Sequence, residues 1–124
     1  MSSDWARLCR GKDFSVEGDR IEVALHDARR HVVSVQDVID GYRLTARVVG
    51  PSFVNASLDA ALIAWRRNRT SKLVGFRIDT RGRLMGEALV PKAGLIAQEF
   101  QLYVRTVAVE ADRFEFVLTG RDRE

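Results

Sequence analysis

The chain's fold is constrained most by the stretch from Leu73 to Leu118, where the apolar period changes from two residues to about 3.6. Val74, Phe76 and Ile78 alternate with Gly75, Arg77 and Asp79, the pattern of a strand with one buried face. Thr80-Arg81-Gly82-Arg83 then makes a tight turn in which Gly82 is free to take positive φ. Beyond Pro91, Ile96, Phe100, Tyr103, Val104, Val107, Ala111, Phe114 and Leu118 fall on one helical stripe. A hairpin followed by a long amphipathic helix needs a sheet for the helix to cover.

The residues upstream supply more of that sheet. Ser3–Arg10 predicts a short helix, with Ser2 or Ser3 as its N-cap, Trp5, Leu8 and Cys9 as its apolar side, and Gly11 as its end. Phe14 and Val16 lead in extended form to the turn signal Gly18-Asp19. Ile21, Val23 and Leu25 alternate as a first strand, Asp27-Ala28-Arg29-Arg30 is a polar turn, and Val32–Gln36 is a second strand. Asp40-Gly41 is a strong hairpin signal, and Tyr42, Leu44, Ala46 and Val48 alternate as the third strand up to Gly50-Pro51. After Pro51 the spacing of Val54, Leu58, Ala61, Leu62 and Trp65 predicts a helix with these residues on its core face. Ser52, Asn55 and Ser57 are equally good N-caps for it. The order (α)-β-β-β-α-β-β-α gives an α+β fold over residues 1–124, one domain with a largely antiparallel sheet covered by helices.

A length of 124 residues suits one hydrophobic core, and 46% hydrophobic with 30% charged residues excludes a disordered tail. No apolar run approaches the roughly 20 residues that a membrane-spanning helix needs. The opening MSSDWARLCRGKD lacks the apolar centre of a secretory signal. Cys9 is the single cysteine, so no intramolecular disulfide can form, and it reads as a packed small hydrophobe in a reducing compartment. The expected location is the cytoplasm. Twenty basic residues against 17 acidic leave a net charge of only +3, weak support for a nucleic-acid partner.

Candidate sites are few. His26 and His31 flank the first hairpin turn beside Asp27, but zinc takes three or four protein ligands and neither a cysteine pair nor a third histidine is present. They read as exposed turn residues, with no metal and no cofactor expected. Arg66, Arg67 and Arg69 with Lys72 form the densest basic run, and Arg29, Arg30 and Arg47 could extend it into a phosphate-binding patch. The simpler reading is a solvated helix end that complements the helix dipole. No GxSxG, P-loop or GxGxxG occurs. Glu87 and Asp79 read as sheet-surface charges, Asp79 paired with Arg77 or Arg81. The last helix has one further feature. Leu95, Leu102, Val109 and Phe116 recur every seven residues on the side away from its core stripe. A helix on a sheet needs one apolar stripe, so the second implies a cover: the first helix, the loop near Pro51, or another molecule.

ARRHVVSV, DGYRLTARVV, LVGFRIDTRGRLMGEALVP and VEADRFEFVLTGRD together resemble the YbjN-like domains, a family described as bacterial sensory transduction regulators. The element order is similar to the fold those domains share with class I type III secretion chaperones. The resemblance implies a small cytoplasmic protein that binds other proteins, often as a homodimer, without a cofactor. It transfers no functional residue, because the shared positions are core and turn positions. The expected function is a non-enzymatic, chaperone-like or regulatory adaptor that offers sheet and helix surface to a client protein. Leu95, Leu102, Val109 and Phe116, with Trp65, are the candidate contact or dimer residues. The alternative is a nucleic-acid-associated accessory protein using Arg66, Arg67, Arg69 and Lys72, with a small enzyme lacking any recognisable motif less favoured still.

Overall fold

The structure is a computed structural model that describes residues 4–57 and 59–120. Strands β1 (Phe14–Glu17), β2 (Arg20–Ala24), β3 (Arg30–Val38), β4 (Gly41–Val49), β5 (Gly75–Ile78) and β6 (Leu84–Pro91) form one sheet in the order β1-β2-β3-β4-β6-β5. Every neighbouring pair is antiparallel. Helices α1 (Pro51–Ala56) and α2 (Ala60–Asn68) connect β4 to β5, and α3 (Ala97–Thr119) follows β6. Two short 3-10 helices, Asp4–Leu8 and His26–Ala28, complete the chain. The fold is the expected α+β class, with an antiparallel sheet carrying its helices on one face.

The sheet gains one strand over the sequence reading. Phe14–Glu17 pairs with Arg20–Ala24 through a two-residue Gly18-Asp19 turn, with Phe14 opposite Val23 and Val16 opposite Ile21. The Asp40-Gly41 signal marks a real hairpin, but Gly41 is already the first residue of β4, opposite Val38. Glycine is needed there for space: a Cβ on Gly41 would collide with the carbonyl oxygen of Val90 on β6. Gly82 does take positive φ, in the β5–β6 turn, at 80°. Asp79 organises that turn by accepting the backbone N–H groups of Arg81 and Arg83 and the Arg83 guanidinium, rather than pairing with Arg77 or with the Arg81 side chain. Burial alone would raise its pKa, but these bonds win and hold it below the ordinary carboxylate range.

Alternation places Val33 and Val35 of β3, Leu44 and Ala46 of β4, and Leu84, Ala88 and Val90 of β6 on the buried face. Against them α3 sets Phe100, Val104, Val107, Ala108, Ala111 and Phe114, all buried. An aromatic contact fixes each half of the helix. Phe100 meets Trp5 and the edge of Tyr42, at centroid distances of 6.1 and 5.8 Å, while Phe114 meets Phe76 edge to face at 4.8 Å. The helix begins at Ala97, later than Pro91 suggests, because Gly94 takes positive φ and turns the chain first. Ile96 is therefore its exposed N-cap rather than a core residue. Gly120, in the left-handed region, ends the helix with its N–H donating to the Phe116 carbonyl at 2.8 Å.

The segment after Pro51 departs most from expectation. One helix was expected; two are found, broken at Ser57, whose backbone is extended. The N-caps are Gly50 and Asp59, not Ser52, Asn55 or Ser57, and Pro51 starts α1 because its fixed φ already suits a first helical position. The break resets the helical phase. In α2 the buried residues are Ala60 and Ala64, while Ala61, Leu62 and Trp65 are exposed, so these three do not form the core face. Of the rest of that predicted stripe, Val54 is partly buried and Leu58 lies outside the described residues. At the N-terminus a 3-10 helix over Asp4–Leu8 stands in place of an α-helix, and it buries Trp5 and places Cys9 just beyond it in the core. The proposed caps Ser2 and Ser3 lie outside the described residues, as does the end of the TGRD segment.

Candidate functional site

The outer side of α3 exposes apolar residues among the polar Gln98, Glu99 and Arg113 that a lone monomer would be expected to show there. Leu102 and Phe116, from the seven-residue row, are 60% and 46% exposed, and Val117 beside them is 57% exposed. Val109 completes this part of the row and is partly covered. Leu95 does not belong to it: it precedes α3, and it packs against the core. The first helical segment does not cover the row, because Trp5 and Cys9 go into the core and Gln101 of α3 donates to the Leu8 and Arg10 carbonyls. Trp65 and Leu62, 57% and 45% exposed on α2, add a second apolar area on the helical side of the sheet. The Arg69 guanidinium lies over the Trp65 ring at 5.2 Å.

The opposite face of the sheet carries paired charges, with Val32 and Leu89 exposed among them. Glu87 on β6 accepts from Arg77 at 3.1 Å and forms an ion pair with Arg43 at 3.2 Å, Arg43 donates to Gln36, and Arg30 pairs with Glu22. This is the cross-strand charge pattern of a sheet face in water. The free edge of β5 is occupied in part. The Asn68 side-chain amide accepts the Phe76 N–H at 2.7 Å and donates to the Phe76 carbonyl at 2.8 Å, in the way a neighbouring strand would.

The basic run is dispersed by the fold. Arg67 turns inward, stacks 4.8 Å over the Phe114 ring and lies 3.9 Å from Glu110, and its Nε is buried without a hydrogen-bond partner. Arg66, Arg69 and Lys72 remain exposed. Arg29 and Arg30, offered as extensions of the patch, pair with Asp112 and Glu22. One guanidinium of the four-residue patch is thus committed to the core.

A groove of about 890 Å³ opens between the start of β3, the end of β4, α1 and the last turns of α3. It is lined by Arg29, His31, Arg47, Phe53, Asp112 and Glu115, among others. His31 stands on β3 in register with Val33 and Val35, so alternation turns it toward the helical side at the sheet's end. It is not the exposed turn histidine that its position beside the loop suggested; its side chain is only 11% exposed, and it is separated in role from His26, which is exposed. Its Nε2 lies 2.8 Å from the Arg47 carbonyl oxygen, and because a carbonyl only accepts, Nε2 carries the hydrogen. Its Nδ1 faces Asp112 at 3.9 Å. Arg29 donates to both Asp112 oxygens, at 2.8 and 2.7 Å, tying the β2–β3 connection to α3. Sequence reasoning missed this cluster because its two halves, Arg29 and His31 on one side and Asp112 and Glu115 on the other, lie about eighty residues apart, although the shared parity of His31, Val33 and Val35 was a usable signal.

Cys9 is buried, and burial pushes its thiol up to about 12, with the nearby Arg105 charge acting weakly in the other direction. No helix among the described residues is long and apolar enough to cross a membrane.

No protein-family model and no curated protein matches the chain. Among solved structures it is similar to a chain of the heterodimeric ExoU–SpcU complex from the type III secretion system of Pseudomonas aeruginosa. The TM-score is 0.55 at 15% sequence identity, over 85% of this chain and 87% of that one. At that identity the likeness concerns the fold alone, which is type III secretion chaperone-like.

Proposed function

We propose that this chain is a non-enzymatic, chaperone-like protein-binding module, and that the outer side of α3 is a contact surface. The observation that carries the reading is the exposed row of Leu102, Phe116 and Val117 on a helix whose other side is fully engaged with its own sheet. Covering what remains exposed of such side chains contributes about 1–2 kcal/mol each, enough for a few of them to hold a partner. The likeness to a chain found in a heterodimer supports a protein partner. Two occupants suit the row, a second copy of the chain and a client protein, and the YbjN-like resemblance favours self-association in the cytoplasm.

Light scattering on the purified protein and on Leu102→Asp/Val109→Asp separates the two. A dimer that becomes a folded monomer in the double variant assigns the row to a second copy. A monomer in both cases, with unchanged folding, removes the homodimer and leaves the row to a client.

A further inference from the structure

We propose that His31, Asp112 and Glu115 form a binding site for one divalent metal ion of the zinc class. Each offers a ligand atom of a type zinc accepts, an imidazole nitrogen and two carboxylate oxygens, and these atoms lie within 4.8 Å of one another. Ligands bound at about 2.0–2.1 Å in tetrahedral geometry stand about 3.4 Å apart, so small side-chain rotations bring the three into place. His31 is already oriented for the task. Donation of its Nε2 hydrogen to the Arg47 carbonyl leaves the lone pair of the neutral ring on Nδ1, which points at Asp112. Metal-binding histidines are commonly held by such a bond on the other ring nitrogen.

The position of the cluster also suits an ion. Asp112 and Glu115 lie three residues apart on α3, on adjacent turns of one face, and His31 reaches them from the start of β3. The His31 and Asp112 side chains are 11% and 19% exposed, so water competes weakly, while the groove of about 890 Å³ gives an entry path and room for water at a fourth position. Arg29 is an opposing charge in direct contact with Asp112. Its hydrogen bonds to Asp112 take one side of a carboxylate that has about four lone-pair sites, so Asp112 can hold Arg29 and a metal together. The guanidinium nevertheless repels the ion and lowers its affinity. A bound metal would fasten the start of β3 to the last turns of α3 and stabilise the folded state by mass action.

Titration calorimetry with zinc chloride alone, on the full chain, is the test, with circular dichroism on each variant to confirm folding. The expected result is one zinc per chain, with affinity lowered about tenfold or more by His31→Gln and by Glu115→Gln. Arg29→Gln should tighten binding, and His26→Gln should leave it unchanged. Absence of saturable binding, or binding that persists equally in folded His31→Gln and Glu115→Gln, would overturn the proposal.

Discussion

The Cys9 thiol sits in the core beside Arg105, and the two pull its pKa in opposite directions. Burial dominates, so the thiol stays protonated far above the usual range of a free cysteine, up to about 12. The consequence is chemical silence: a disulfide-exchange reagent at mildly alkaline pH should leave Cys9 unmodified in the native protein and react with it fully in denaturant. Fast labelling of the native chain would contradict the burial. The linkage has a direction too. A folded-state pKa raised above the unfolded one stabilises the fold below the unfolded value of about 8.5, and that stabilisation fades as pH rises through the window from there to about 12. That Cys9 is a packing residue was legible from a lone cysteine next to Trp5 and Leu8. The role of His31 was not, because proximity to a turn suggested exposure while strand parity, the stronger rule, turned the ring inward.

Helix α3 shows what periodicity reveals about an element and where it stops. Phe100, Val104, Val107, Ala111 and Phe114 were assigned to the core by spacing alone, and all are buried. The same rule failed after Pro51, because a single period was carried across a break at Ser57 that no proline or glycine announces. Once the phase is reset, small residues face the sheet. Ala60 and Ala64 allow α2 to approach closely, and Leu62 and Trp65 are left outside. These two sides of the helical layer predict different responses. Phe114→Ala removes a ring packed against Phe76 and under Arg67, and should cost about 3–5 kcal/mol in denaturant unfolding. Leu102→Asp changes a side chain that is 60% exposed and should shift the stability of the isolated chain by no more than about 0.5 kcal/mol. A comparable loss from both variants would mean that the outer row belongs to the core.

At the scale of the whole molecule the chain divides its surfaces by chemistry. The open face of the sheet carries paired charges with Val32 and Leu89 exposed among them, the edge at β5 is partly occupied by Asn68, and Leu62, Trp65, Leu102, Phe116 and Val117 are exposed on the helices. The α+β class, the antiparallel sheet and the final helix were all legible in the sequence. The added strand at Phe14–Glu17 was not, since four residues between two turns carry too short a pattern to separate a strand from an extended loop. The second apolar stripe was visible as well, but only the structure removes Leu95 from it and shows that the first helical segment leaves it exposed.

The central claim is that this row binds protein, and the most direct measurement is affinity capture from a cytoplasmic extract of the source cell by the wild-type chain and by Leu102→Asp/Phe116→Asp. The account predicts a defined protein that wild type retains with little dependence on salt, as an apolar interface should, and that the equally folded double variant loses. Equal capture by both chains, or recovery of nucleic acid alone with steep loss at higher salt, would contradict it.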